Sequence, residues 1–342
     1  MSKCEWGSGW DKEYHCKVAA EEGSKFCIFH EPGKKDIERF KQAFYSQIRE
    51  EGLADERNPQ YDFRGYIFPT GLTVHGREPE LILPREIGGA LIMAESTIEG
   101  YAGFEGATIE GDARFGDAMI KEDAWFSGAT IKGDARFYRA TFEGNAGFDG
   151  AKASSIFLGS GRPTILWWVK NREGVRLNRW STGESFWRFA KRTFAKAGER
   201  ERADAAYYFE KVWGRRARLA SSGMDRLVAV IGYPFELLFL RLPIAYGTSL
   251  VRPLMSWFVS IALFGGLYAG FPSLIGRTVK SVWTLSNWVI SMHFSVTTFT
   301  TLGLGDIHPG RLLGKALTSI EAVVGGVLMA LTVVVISRKL MR

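Results

Sequence analysis

The chain has 342 residues, with 44 Lys and Arg against 37 Asp and Glu, a formal charge of +7, and three cysteines. That length allows two or three domains. The basic excess crowds between Arg162 and Arg226 and at the C-terminus, beside apolar segments, which fits cytoplasmic membrane flanks rather than nucleic-acid binding. The mean hydropathy near zero averages two unlike parts, polar before about Ala220 and strongly apolar after it. The first residues, MSKCEWGSGW, lack a basic stretch leading into an apolar core, so no signal peptide is expected.

All three cysteines lie in residues 1–35: Cys4, Cys16 and Cys27, with His30 closing a Cys-x-x-His end, CIFH. Three thiolates and one imidazole suit a closed structural zinc site, and an untranslocated N-terminus keeps thiols reduced. The gaps before Cys27 are irregular, and His15 is a substitute ligand; the other reading is three unrelated buried thiols. Four protein ligands leave no open position, so a catalytic metal is not expected. Residues 36–60 are expected to be a helical connector.

Between Ala102 and Ala153 a period of eleven emerges. Phenylalanines stand at 104, 115, 126, 137 and 148, and Ile109, Ile120, Ile131 and Phe142 fall five residues after one Phe and six before the next. An alanine sits two positions before each of them, from Ala102 to Ala146. Large beside small at fixed spacing is what a narrow stacked coil needs. Eleven residues is also close to three helical turns, but the glycines at 100, 103, 106, 111, 116, 128, 133, 144, 147 and 150 oppose a helix.

The pattern resembles the pentapeptide-repeat family, and the resemblance implies a right-handed quadrilateral β-helix over residues 61–160, with about 22 residues per coil. Such a rod has little catalytic apparatus, and no enzyme activity is expected. Some members of that family mimic DNA with an acidic rod, but a membrane tether argues against this role here. Residues 161–223 are expected to be a basic helical linker, with apolar positions at helical spacing (Phe186, Phe189, Ala190, Phe194, then Tyr207, Tyr208, Val212) and a break at Gly198. Its run Arg215 to Arg218 suits anionic headgroups.

Residues 224–250 are apolar but short, and contain Pro234 and Glu236. They fit an interfacial helix lying on the bilayer. Two longer apolar stretches follow, Leu254 to Phe271 and Leu312 to Ser337, each long enough to span. Between them come a candidate pore helix, about Asn287 to Thr298, and the string TTLGLGD from Thr300 to Asp306. Alternating Gly303 and Gly305 let carbonyls point in directions ordinary residues resist, and irregular backbone at membrane depth is tolerated where it lines a cavity.

This string resembles the selectivity filter of potassium channels, usually written TVGYGD, with Leu302 standing for the Val and Leu304 for the Tyr. The resemblance covers roughly Leu254 to Arg342 and implies a two-helix pore domain over residues 251–342 with a re-entrant loop, closed by four chains. It further implies that carbonyls of Thr301, Leu302, Gly303 and Leu304, with the Thr301 hydroxyl, bind dehydrated K+. Asp306 would bond behind the filter, and Thr300 and Trp288 would support it. Glu321, an ionisable group at membrane depth, either buttresses the filter or lines the vestibule. The tandem Gly325 and Gly326 serve either as a gating hinge or for close packing. No arginine-rich voltage sensor is present.

The sequence therefore describes a multidomain chain: a zinc-knuckle-like segment, a β-helix, a helical linker and an all-α pore. It reads as a homotetrameric potassium channel in the cell membrane with both termini cytoplasmic. Its partners would be the lipid bilayer and an unidentified cytoplasmic protein or ligand. Two alternatives stand beside this: a weakly selective Na+/K+ channel, because of Leu302 and Leu304, and a membrane-anchored scaffold with a non-conducting pore.

Overall fold

A computed structural model describes residues 2–9, 14–33, 35–54, 61–75, 81–159, 176–177, 180–241, 243–249, 251–279, 281–303, 307–309 and 311–340. The chain forms two compact units, Met1–Ser222 and Gly223–Arg342.

The first unit is built on a four-sided β-solenoid. Each side is a stack of short parallel strands. One runs through Tyr61, Leu91, Ala113, Ala135 and Ile156, and the next through Ile67, Thr97, Met119, Thr141 and Arg176. The third runs through Leu81, Leu72, Ala102, Ala124 and Ala146, and the fourth through Glu86, Thr108, Thr130 and Lys152. Regular coils lie 22 residues apart, as in the bond from the Asp134 amide to Asp112, so each corner recurs above its predecessor. The strand at Leu81 lies outside the one at Leu72, so the first coil is irregular.

The eleven-residue period places every repeat Phe inside. Phe104, Phe126 and Phe148 stack face to face, with centroids 5.1 and 5.0 Å apart. Phe115 and Phe137 form a second column at 5.4 Å, and the two columns meet edge to face, a favourable arrangement for aromatic quadrupoles. The alanines are buried beside them, where a larger side chain has no room. Two residues after Met93, Phe104, Phe115, Phe126, Phe137 and Phe148 the chain turns through the left-handed region: Glu95, Gly106, Asp117, Gly128, Arg139 and Gly150 all have φ between 54° and 75°.

Helices cover both ends of this core. Helix α1 (Ile37–Ala54) brings fully buried Phe40 and Phe44 against Phe63 and Phe68. At the other end α2 (Trp180–Lys196) sets Phe189 on Phe148 at 5.7 Å, extending the first column, and Phe186 against Phe137 and Phe148. Helix α3 (Arg200–Ala220) packs back on α2 after a turn at Gly198, φ 76°. The expected helical linker segment is helical at α2 and α3, and both helices belong to the solenoid unit. The segment adds a strand pair at Arg176–Leu177 and covers an aromatic end that would otherwise face water.

The second unit begins with α4 (Met224–Phe235), which leaves Met224, Leu227, Val228, Val230, Ile231 and Phe235 exposed. A wider π-helical stretch, Glu236–Arg241, follows. Two long apolar helices come next, α5 (Val251–Gly270) and α7 (Leu312–Leu340), each long and apolar enough to cross a membrane. Between them lies α6 (Leu285–Phe299). At its end, α7 is tied to the approach to α5, where the Arg338 guanidinium donates to the Tyr246 carbonyl at 2.8 Å.

Candidate functional site

Helix α6 lies between the two long apolar helices in chain order and ends where the Thr-rich string begins. Thr300 caps it, its hydroxyl donating to the Val296 carbonyl at 2.7 Å. The amides of Thr301 and Leu302 reach back to the carbonyls of Thr298 and Thr297, a pair of bonds that closes a helix through a left-handed residue. That residue is Thr301, at φ 56°, followed by Gly303 at φ 57°. Left-handed backbone is costly for a β-branched residue, so the loop departs from regular structure where the sequence places the first ligands. Leu302 is largely exposed within the chain. Leu304, Gly305 and Asp306 lie outside the described residues.

Behind this loop the helices are joined by polar side chains. Glu321 on α7 is fully buried. It accepts a hydrogen bond from Tyr268 of α5 at 2.8 Å and a second from Ser295 of α6. Nearer the start of α6, Asn287 donates to the Ala269 carbonyl at 2.8 Å. One turn along α7 from Glu321, a Cβ on Gly325 would land on the Phe299 carbonyl. Helix α7 is unbroken through both glycines. Gly325 therefore serves close approach of backbones, while a Cβ on Gly326 would meet open space within the chain. Trp288 is partly buried near Gly266, and Trp283 is exposed. Tyr268 and Ser295 were not singled out from the sequence. Their only signal there is a polar atom in an apolar helix.

In the solenoid unit the structure brings Cys4, Cys16, Cys27 and His30 into one buried cluster whose donor atoms all lie within 4.8 Å of one another. Cys16 Sγ and Cys27 Sγ are 3.7 Å apart. His30 Nδ1 lies 3.1 Å from Cys27 Sγ and 3.7 Å from Cys4 Sγ. The Cys16 thiol beside it and His30 hold Cys27 well below the ordinary thiol range, and that same bond with burial pushes Cys16 up. His15 is outside the cluster.

The surroundings fix this cluster to the first coil. His30 Nε2 donates to the Arg64 carbonyl at 2.9 Å, leaving Nδ1 facing the sulfurs. Trp6 stacks on the imidazole at 4.3 Å. Lys35 Nζ donates to the carbonyls of Phe29 and Ile67 at 2.9 and 2.8 Å, and burial pulls its ammonium down to about 8.

The comparisons agree with this division. Residues 104–152 match the family model for pentapeptide repeats (9 copies), and residues 256–342 match that for an ion channel. No curated protein and no solved structure matches the chain. The chain thus carries a pentapeptide-repeat solenoid followed by a membrane segment of the ion channel family.

Proposed function

We propose that the protein is a homotetrameric channel conducting K+ passively through carbonyls of Thr301 to Leu304. The observation that carries this reading is the pore helix α6, held between two apolar helices and ending in a loop turned through positive φ at Thr301 and Gly303. One chain supplies one such loop, and carbonyls from four chains around an axis can replace a cation's water shell. The gating signal enters through the N-terminal unit, both termini are cytoplasmic, and α4 lies at the membrane surface with its exposed apolar residues toward lipid. Ions move down their gradient with no reaction catalysed.

We further propose that the Cys4–Cys16–Cys27–His30 cluster holds a structural Zn2+. Donors around tetrahedral zinc lie about 3.5–3.8 Å from each other, which the observed sulfur and nitrogen spacings approach. Burial and a set of four protein donors, with no fifth in the cluster among the described residues, favour a closed site over a reactive one.

Flux through purified protein in liposomes tests the channel. Barium-sensitive flux that favours potassium over sodium, lost in Gly303→Ala, supports it. Equal flux of both ions favours the weakly selective alternative, to which Leu302 and Leu304 point. No flux from parent protein, with partner binding intact, favours a scaffold.

A further inference from the structure

Leu302 and Leu304 carry no polar side-chain atom, so neither side chain can hydrogen-bond the loop to the helix behind it. How firmly the loop is placed then depends on how firmly α6 is held. Asn287 and Ser295 stand two turns apart on one face of α6, and both are buried. Asn287 bonds the Ala269 carbonyl, and Ser295 Oγ lies 3.1 Å from the Ile261 carbonyl. Ala269 and Ile261 are likewise two turns apart on α5, so the two antiparallel helices are matched in register.

Ser295 also reaches Glu321 on α7, whose other oxygen accepts from Tyr268 on α5. Tyr268, Ser295 and Glu321 are all fully buried, so all three helices meet in one hydrogen-bonded node. Beyond it, the Phe299 carbonyl at the end of α6 rests on Gly325. Helix α6 is therefore fixed near its start, middle and end.

We propose that the Tyr268–Glu321–Ser295 node is a positioning device for the ion-binding loop. It sets the height and rotation of α6, and through Thr300 and Thr301 the placement of the carbonyls that discriminate between ions. A carboxyl buried in an apolar setting is costly unless its bonds are made, so the three members act as one unit. The proposal rests on the channel reading.

The test is the reversal potential of the full-length protein in planar bilayers, with K+ on one side and Na+ on the other. Tyr268→Phe removes one oxygen and keeps the ring that packs on Phe294 at 5.2 Å. It should lower the potassium-to-sodium permeability ratio by about fivefold, the worth of one ordinary hydrogen bond, and Ser295→Ala should do the same. Their double variant should lose less than about the product of the two, because both act through one carboxyl. Glu321→Gln, which still accepts from Tyr268, should stay within about twofold of the parent.

Conducting variants that keep the parent's ratio while tetramer yield alone falls would overturn the proposal and leave the channel reading intact. A parent protein that carries no current overturns the channel reading itself, before any variant is compared. If Ser295→Ala fails to assemble, Tyr268→Phe against Glu321→Gln still decides the matter.

Discussion

At His30 the two imidazole nitrogens have separate tasks: Nε2 is bonded to the Arg64 carbonyl, and Nδ1 faces the sulfurs. A metal held there joins the N-terminal segment to the first coil. Cys27→Ser should reduce zinc from one per chain to near none by elemental analysis and lower the melting temperature; full zinc content in that variant would contradict the assignment. Lys35 makes a second tie between the same parts, and its ammonium, at about 8, lies below its ordinary 10.5. The unfolded chain holds that proton more tightly than the folded one. Stability from this group is therefore fully present above about 10.5 and is lost as pH falls through about 8. As pH rises from about 8 to about 10.5, the parent's melting temperature should rise relative to Lys35→Met. A flat or inverted difference would contradict the buried-ammonium reading.

At the scale of the element, the solenoid was legible because its repeat carries both halves of the packing: Phe inside and Ala beside it. The left-handed turns two residues after Met93 and after each Phe from 104 to 148 in steps of eleven were less so. Gly106, Gly128 and Gly150 announce them, but Glu95, Asp117 and Arg139 occupy the same geometry, and nothing in those residue types signals it. The Arg139–Asp117 ion pair at 2.9 Å links two such turns. Glycines that looked alike in sequence also differ. A Cβ on Gly144 would fall on the Glu122 backbone of the neighbouring coil, whereas one on Gly116 would make ordinary contact with the Tyr138 carbonyl at 3.7 Å. Gly144→Ala should therefore destabilise by about 2 kcal/mol or more in denaturant melts, and Gly116→Ala by about 0.5 kcal/mol or less. Phe126, stacked on two others, should cost about 3–5 kcal/mol when cut to Ala.

For the whole molecule, the polar and apolar halves of the sequence correspond to the two units, Met1–Ser222 and Gly223–Arg342. The spans were legible from length and hydropathy, and the cluster from its residue types. Which apolar-helix residues support α6 was not. Glu321 stood out as a charge at membrane depth, but its partners Tyr268 and Ser295 come from other helices, and their meeting is a property of packing that no local pattern records. The role of α2 in closing the solenoid was hidden for the same reason: Phe186 and Phe189 read as one face of a helix, without saying what that face covers.

The central claim is selective conduction, and the bi-ionic reversal potential of the purified, reconstituted parent protein tests it most directly. The account predicts a potential displaced far toward the potassium equilibrium value, a permeability ratio above about ten, and block by barium. A reversal potential near zero with substantial current would contradict potassium selectivity and place the protein among weakly selective cation pores.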